Sequence, residues 1–278
     1  MELRAGIPSM VDYWRLVQTP IFRQVEEFSD RFLSECGSIV KKYKWVRDPF
    51  HQWSRQWEYP YVLQEIGRIH ELGGGRGLSV LDIGSGFTFF PYLLSSEFPE
   101  SRFTCCDKDV SLQPLFRWAN ETRESVQRVR FDVCSPNSLP YNSDQFDVAY
   151  SVSVLEHVQH PSQMLGEIAR ILSPGGSLIL TFDVGLDGVS NIHHSRLDAL
   201  YSTLAHHFEF DSTASVRYEH DSMVRSSVIG RDRPDLLPWV FPRLSLLKSA
   251  IRARMVPNRL AKELTFCCLT LRKLPGGS

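Results

Sequence analysis

The stretch Ser79-Val80-Leu81-Asp82-Ile83-Gly84-Ser85-Gly86-Phe87-Thr88 places the tightest constraint on what this chain can fold into. Val80, Leu81 and Ile83 form the apolar run of a parallel strand covered on both faces. Gly84 and Gly86 permit a tight turn and let a ligand approach the backbone closely. A helix over 87–97 would then aim its first amides at that ligand, with Pro91 tolerated near its first turn. Strand, glycine turn and helix in this order suit several nucleotide-like ligands. The nicotinamide fingerprint Gly-x-Gly-x-x-Gly is incomplete here, because position 89 is Phe.

The rhythm of strand and helix continues downstream. Apolar, β-favouring runs predict strands at 78–83, 102–106, 126–131, 146–152 and 177–182, with helices over 112–120 and 162–172 between them. Alternation of this kind predicts a parallel sheet with right-handed crossovers. Beyond Asp183 the regularity weakens. A helix is expected over 191–207, strands over 208–213 and 265–271, and an irregular insertion over 214–263. Upstream, Trp14, Val17, Ile21, Val25, Phe28 and Phe32 recur at three- and four-residue steps, one face of a helix. Thr19-Pro20 marks a break or a new start within it. The span 44–61, with Trp45, Trp53 and Trp57, reads either as packing against the main domain or as a cap lining a ligand cleft. The division expected is a helical N-terminal cap over 1–75 and a ligand-binding domain over 76–278. At 278 residues, 42% hydrophobic and 23% charged, a sizeable core is within reach.

Open parallel sheets bind ligands beyond the carboxyl ends of their strands. The strand ends therefore belong together. The first supplies Asp82, Gly84 and Gly86. The second supplies Asp107, about twenty residues on, where an acid can take both hydroxyls of a ribose. The third supplies Asp132 and Val133, an acceptor for an exocyclic amine beside an apolar surface. The fourth supplies Ser151, Val152 and then Leu155-Glu156-His157. Three acids at three successive strand ends, with the glycine turn first, form an ordered series that single motifs do not.

With these residues, and with Leu139-Pro140-Tyr141-Asn142-Ser143-Asp144-Gln145-Phe146-Asp147-Val148-Ala149 and Leu172-Ser173-Pro174-Gly175-Gly176-Ser177-Leu178, the chain resembles class I S-adenosylmethionine-dependent methyltransferases of the type 11 branch over roughly 76–183. The resemblance implies an α/β, Rossmann-like three-layer sandwich whose seven-stranded, mostly parallel sheet has an antiparallel last strand. It implies S-adenosyl-L-methionine as cofactor. Gly84, Gly86 and Phe87 would flank its methionine part, with Asp82 beside the turn. Asp107 and Lys108 would lie at the ribose, and Asp132 and Val133 at adenine. Ser151 and Val152 would lie near the sulfonium, and His157 near the site mouth. Apart from the resemblance, Arg55 would pair with a carboxylate of the cofactor if the aromatic span 44–61 caps the cleft. Many relatives carry a third glycine where this chain has Thr88, which alters the floor of that pocket.

Methyl transfer needs an aligned nucleophile and excluded water, and an alcohol nucleophile also needs a base. The candidates are His193 and His194, then His157, since histidine titrates near neutrality; Asp183 is another. The acceptor expected is a small molecule, an oxygen of a sugar or glycan precursor. Two rivals stay open: a nicotinamide oxidoreductase, opposed by position 89 and by the absence of a Tyr-x-x-x-Lys pair after the fourth strand, and a non-catalytic cofactor-binding scaffold. Between Arg225 and Lys262 the chain has nine basic residues and only Asp232 and Asp235 as acids. That span reads as a solvated face, a site for an anionic acceptor, or a peripheral membrane contact built on Leu236-Leu237-Pro238-Trp239-Val240-Phe241.

Net charge is −1, so nothing global points to nucleic acid. The six cysteines show no Cys-x-x-Cys spacing and read as reduced thiols, with no metal expected. No secretory leader and no apolar run of spanning length is evident, which leads to the expectation of a cytoplasmic protein.

Overall fold

The computed structural model describes residues 1–40, 48–122, 129–186, 192–210, 222–237 and 263–275. Seven strands form one sheet in the order β3-β2-β1-β4-β5-β7-β6. They are β1 (Ser79–Ile83), β2 (Arg102–Asp107), β3 (Val129–Val133), β4 (Phe146–Val152), β5 (Leu172–Gly185), β6 (Phe208–Phe210) and β7 (Leu264–Lys273). β1 to β5 pair in parallel, and β7 runs antiparallel to both β5 and β6. The expected Rossmann-like sandwich with its antiparallel last strand is what the chain forms.

Eight α-helices accompany the sheet among the described residues: α1 (Met10–Leu16), α2 (Pro20–Val40), α3 (Arg55–Leu72), α4 (Phe90–Glu97), α5 (Gln113–Thr122), α6 (Pro161–Ile171), α7 (Leu197–Ala205) and α8 (Ser226–Asp232). Several boundaries differ from the sequence reading. The helix after the glycine turn starts at Phe90, because Phe87, Thr88 and Phe89 extend the turn. The helix expected over 191–207 is a 3-10 turn, His194–Arg196, leading into α7. Pro20 begins α2, as a residue that needs no amide partner can.

Packing explains why the N-terminal helices belong to the site. The apolar face of α2 buries Val25, Phe28 and Phe32. Phe28 meets Phe89 with ring centroids 6.5 Å apart, and Phe32 meets Phe87 at 5.9 Å and Tyr92 at 5.3 Å. The same rings form the turn after β1 and the start of α4. Each buried aromatic side chain adds roughly 2–3 kcal/mol of transfer free energy, so α2 is tied to the glycine turn. Helix α3 is buried nearly all round through its first half, lying between α2 and the sheet. Trp53 and Trp57 are core residues; Trp53 packs edge-on against Phe266 of β7 at 5.3 Å. Trp45 lies outside the described residues. No helix among the described residues is long and apolar enough to cross a membrane.

Candidate active site and cofactor cavity

Strand order reverses between β1 and β4, and the crevice between their carboxyl ends opens into a cavity of about 930 Å³. That is at the upper end of what small-molecule sites occupy. One wall is the glycine turn. Gly84 and Gly86 both have positive φ, +71° and +53°, the left-handed region that glycine enters without steric cost. The amides of Gly84 and Ser85 donate to the Cys106 carbonyl at 2.8 and 3.1 Å, which pins the turn to the end of β2. Asp107 completes it: one carboxylate oxygen accepts from the Gly86 amide at 3.1 Å and the other from Asp109 at 3.0 Å. Asp107 therefore shapes the turn as well as lining the cavity.

Asp82 sits on the floor, 6% exposed, and accepts a hydrogen bond from the Tyr150 hydroxyl at 2.9 Å. Burial, with the neighbouring charge of Asp107 adding to it, raises its carboxyl to about 8, against the opposing bond from Tyr150. Farther along, the cavity is lined by Cys134, Ser135, Pro136 and Asn137, and by Lys108 and Asp109. Asp132 and Val133 are adjacent but do not line the cavity. Asp132 is engaged by Arg130 at 2.9 Å and Tyr141 at 3.2 Å, and Val133 is 43% exposed. Ser151 is likewise behind the wall, its hydroxyl donating to the Ile83 carbonyl at 3.0 Å, whereas Val152 and Phe87 reach the cavity.

The opposite wall comes from the N-terminal helices. Pro49, Gln52, Arg55 and Tyr59 line it. A short segment before α3 carries the first two. Phe50 fixes that segment in the core against Phe22 and Phe89. His51 also ties it down, pairing with Asp48 at 2.7 Å and with Glu26 of α2 at 3.4 Å. The bond to Asp48 raises His51 to about 9, over the opposing effect of burial, so it is a cation at neutral pH. Arg55 directs one guanidinium nitrogen to Glu58 and to Ser153 at the end of β4. Glu58 is fully buried and also accepts from the Ser153 hydroxyl at 2.8 Å. From the sequence Arg55 is expected to meet a carboxylate of the cofactor; within the protein its partner is Glu58, one helical turn away and invisible as a site residue without the fold.

The three candidate histidines separate. His157, exposed on the 3-10 turn Leu155–His157, lines the cavity. His193 and His194, on the turn before α7, are not among the cavity-lining residues; their rings are 4.0 Å apart and His193 is bonded to Ser195 at 2.8 Å. Glu156 and Asp183 are near neighbours below the wall; burial, then the charge of Asp183, holds the Glu156 carboxyl well above its ordinary range. Of the nine basic residues in the insertion, Arg225, Arg231 and Arg233 are described and form ion pairs with Glu263, Asp232 and Asp235. The other six, and most of the apolar run 236–241, lie outside the described residues.

The donor set fits the cofactor that the sequence points to: a glycine turn lining the cavity, the Asp107 carboxylate beside it, and a second carboxyl at Asp82. Replacing Asp107 with alanine is expected to weaken S-adenosylmethionine binding by about 1–3 kcal/mol, the usual loss for a hydrogen bond to a charged group. Unchanged affinity by calorimetry would count against Asp107 as a ligand.

Comparison with known proteins agrees with this geometry. Residues 81–180 match a family model described as a methyltransferase domain. The chain is 29% identical over 196 residues to an uncharacterized 37.1 kDa protein in transposon TN4556 of Streptomyces fradiae, covering 68% of this chain and 52% of that one. It is 30% identical over 122 residues to a ubiquinone biosynthesis O-methyltransferase of Caulobacter sp. (strain K31), covering 42% and 47%. The chain thus spans about half the length of these curated relatives. Among solved structures, the [4+2]-cyclase SpnF superposes with a TM-score of 0.50 at 18% identity, over 98% of this chain and 100% of that one; this likeness speaks for the fold alone.

Proposed function

We propose, from the premise that residues 81–180 of this chain are a methyltransferase domain, that the protein transfers a methyl group from S-adenosylmethionine to a hydroxyl oxygen of a small molecule. The observation that carries this reading is the two-sided cavity: glycine turn and Asp107 on one side, Gln52, Arg55, Tyr59 and Ser153 on the other. Gly84, Gly86, Asp82 and Asp107 would hold the cofactor, with the 134–137 stretch along its base. Bound there, it supplies a methyl group on a sulfonium, which is a good leaving group. The protein's own share is alignment and the exclusion of water. The segment around Pro49 and Gln52, locked by Phe50 and His51, supplies the second of these.

Within hydroxyl acceptors, the polar groups of Gln52, Arg55 and Ser153 support a sugar or glycan-precursor hydroxyl. A second reading, a ring hydroxyl of a quinol-like acceptor, is favoured by the flat faces of Tyr59 and Tyr150 in the same cavity and by the O-methyltransferase relative. Turnover assays on nucleotide sugars, free sugars and catechols, read as S-adenosylhomocysteine release, test both. Release with either class supports the proposal and selects the acceptor. Preferential binding of NAD overturns it, and cofactor binding without turnover on any of the panel favours a scaffold instead.

A further inference from the structure

Ser153 is an unusual residue for a cavity wall. It is one of two non-glycine residues with positive φ among those described, at +49°, a conformation that a serine adopts only at an energetic cost. The surroundings enforce it: its amide donates to the Thr181 carbonyl at 2.9 Å, and its side chain is clamped between Arg55 and Glu58. A hydroxyl has one proton to give and two lone pairs. The proton goes to Glu58 Oε1 at 2.8 Å and one lone pair takes the Arg55 N–H. The second lone pair remains at a residue that lines the cavity. Strain kept at such a place is characteristic of a working position.

Building on the proposed methyl transfer to oxygen, we infer that Ser153 and Glu58 form a proton relay, with Ser153 taking the acceptor's hydroxyl proton and Glu58 storing it. As the acceptor oxygen forms its bond to the methyl carbon, the carbon–sulfur bond breaks and its electron pair stays on sulfur. The acceptor's O–H pair stays on oxygen and its proton passes to Ser153 Oγ, while the Ser153 proton passes to Glu58 Oε1. The sulfonium becomes a neutral thioether, the acceptor an ether, and Glu58 a neutral acid. Arg55 then faces a neutral partner, and the Asp183 carboxylate, whose charge already bears on the guanidinium, balances it. Glu58 suits the task because it is fully buried yet reaches the cavity through a single hydroxyl. No histidine is required in this scheme.

Ser153→Gly is the cleanest test, since glycine accepts the same backbone without strain and removes the hydroxyl together with its single carbon. Catechol serves as an acceptor with a proton to lose, and 4-nitrothiophenol, ionised at neutral pH, as one without. The expected result is a fall of at least 100-fold in the ratio of catechol to thiolate kcat, with the catechol KM moving less than threefold. Glu58→Gln should shift that ratio in the same direction. A ratio unchanged in Ser153→Gly overturns the relay alone; a wild-type protein that binds the cofactor but methylates neither these two probes nor any sugar of the panel above overturns the methyl-transfer reading and the relay with it. Infrared spectra of the ligand-free protein give a readout apart from activity. Ser153→Gly should shift a carboxylate band that Glu58→Gln abolishes, and the absence of any such band would show that Glu58 is not the ionised proton acceptor.

Discussion

Replacing Gly84 with alanine is expected to destabilise the protein by about 2–5 kcal/mol and to abolish measurable cofactor binding. Two effects add. At φ +71° an L side chain is strained by roughly 1–2 kcal/mol. The new methyl would also lie 2.6 and 2.8 Å from the two terminal carbons of Val154 and 3.2 Å from its Cβ. Val154 follows Ser153 on the cavity wall, so relief by moving it would disturb the very residues that face the acceptor. Overpacking of this kind costs about 1–3 kcal/mol. Urea unfolding of Gly84→Ala, and of Gly84→Ala combined with Val154→Ala, separates the terms: the double variant removes both terminal carbons and should recover the packing part while the backbone strain stays. If the single variant unfolds at the wild-type midpoint, the tight approach of turn and wall is not a constraint on the fold.

The second large effect concerns pH. Asp82 keeps its proton in the folded chain up to about pH 8, whereas its ordinary value is 3.8. Burial is the main cause, and the charge of Asp107 adds to it. Below about pH 4 the group is protonated in both states and its contribution is fully present. Between 4 and 8 the unfolded chain has released the proton and the folded chain has not, so stability falls as pH rises. Above 8 the contribution is lost. At 1.36 kcal/mol per unit the loss across this window is on the order of 5 kcal/mol at most. Asp82→Asn, which still offers Tyr150 an acceptor, should flatten the profile: about equal to wild type near pH 4 and several kcal/mol more stable at pH 9. Parallel profiles for the two proteins would show that Asp82 is ionised in the folded state at neutral pH.

Both predictions start from one run of ten residues, and that run was legible from the start. β1 is apolar on both faces because helices cover the sheet on both sides, and only glycine satisfies the turn that follows. Asp107 was equally visible, as an acid at the end of the second strand about twenty residues beyond the glycine turn. Less legible was the length of that turn. A helix starting at Phe87 is the simplest reading after a glycine turn, yet 87–89 stay out of α4, and the rings of Phe87 and Phe89 pack on Phe28, Phe32 and Phe50 of the N-terminal region. His193 and His194 drew attention by their side-chain chemistry, and nothing local in the sequence could say that they would not be among the residues lining the cavity.

The sequence by itself determined the sheet, its order of motifs and the class of cofactor, because those rest on local periodicity and on residue types that a tight turn or a strand end demands. The tertiary structure decided which side chains meet. Arg55 and Ser153 are 98 positions apart, and Glu58, an ordinary helix residue by composition, becomes fully buried beside a cavity once α3 is pressed between α2 and the sheet. Contacts of that separation leave no periodic trace in the chain. They exist because a helix buried through its first half must pair its charges inward, and the partner it found lines the cavity.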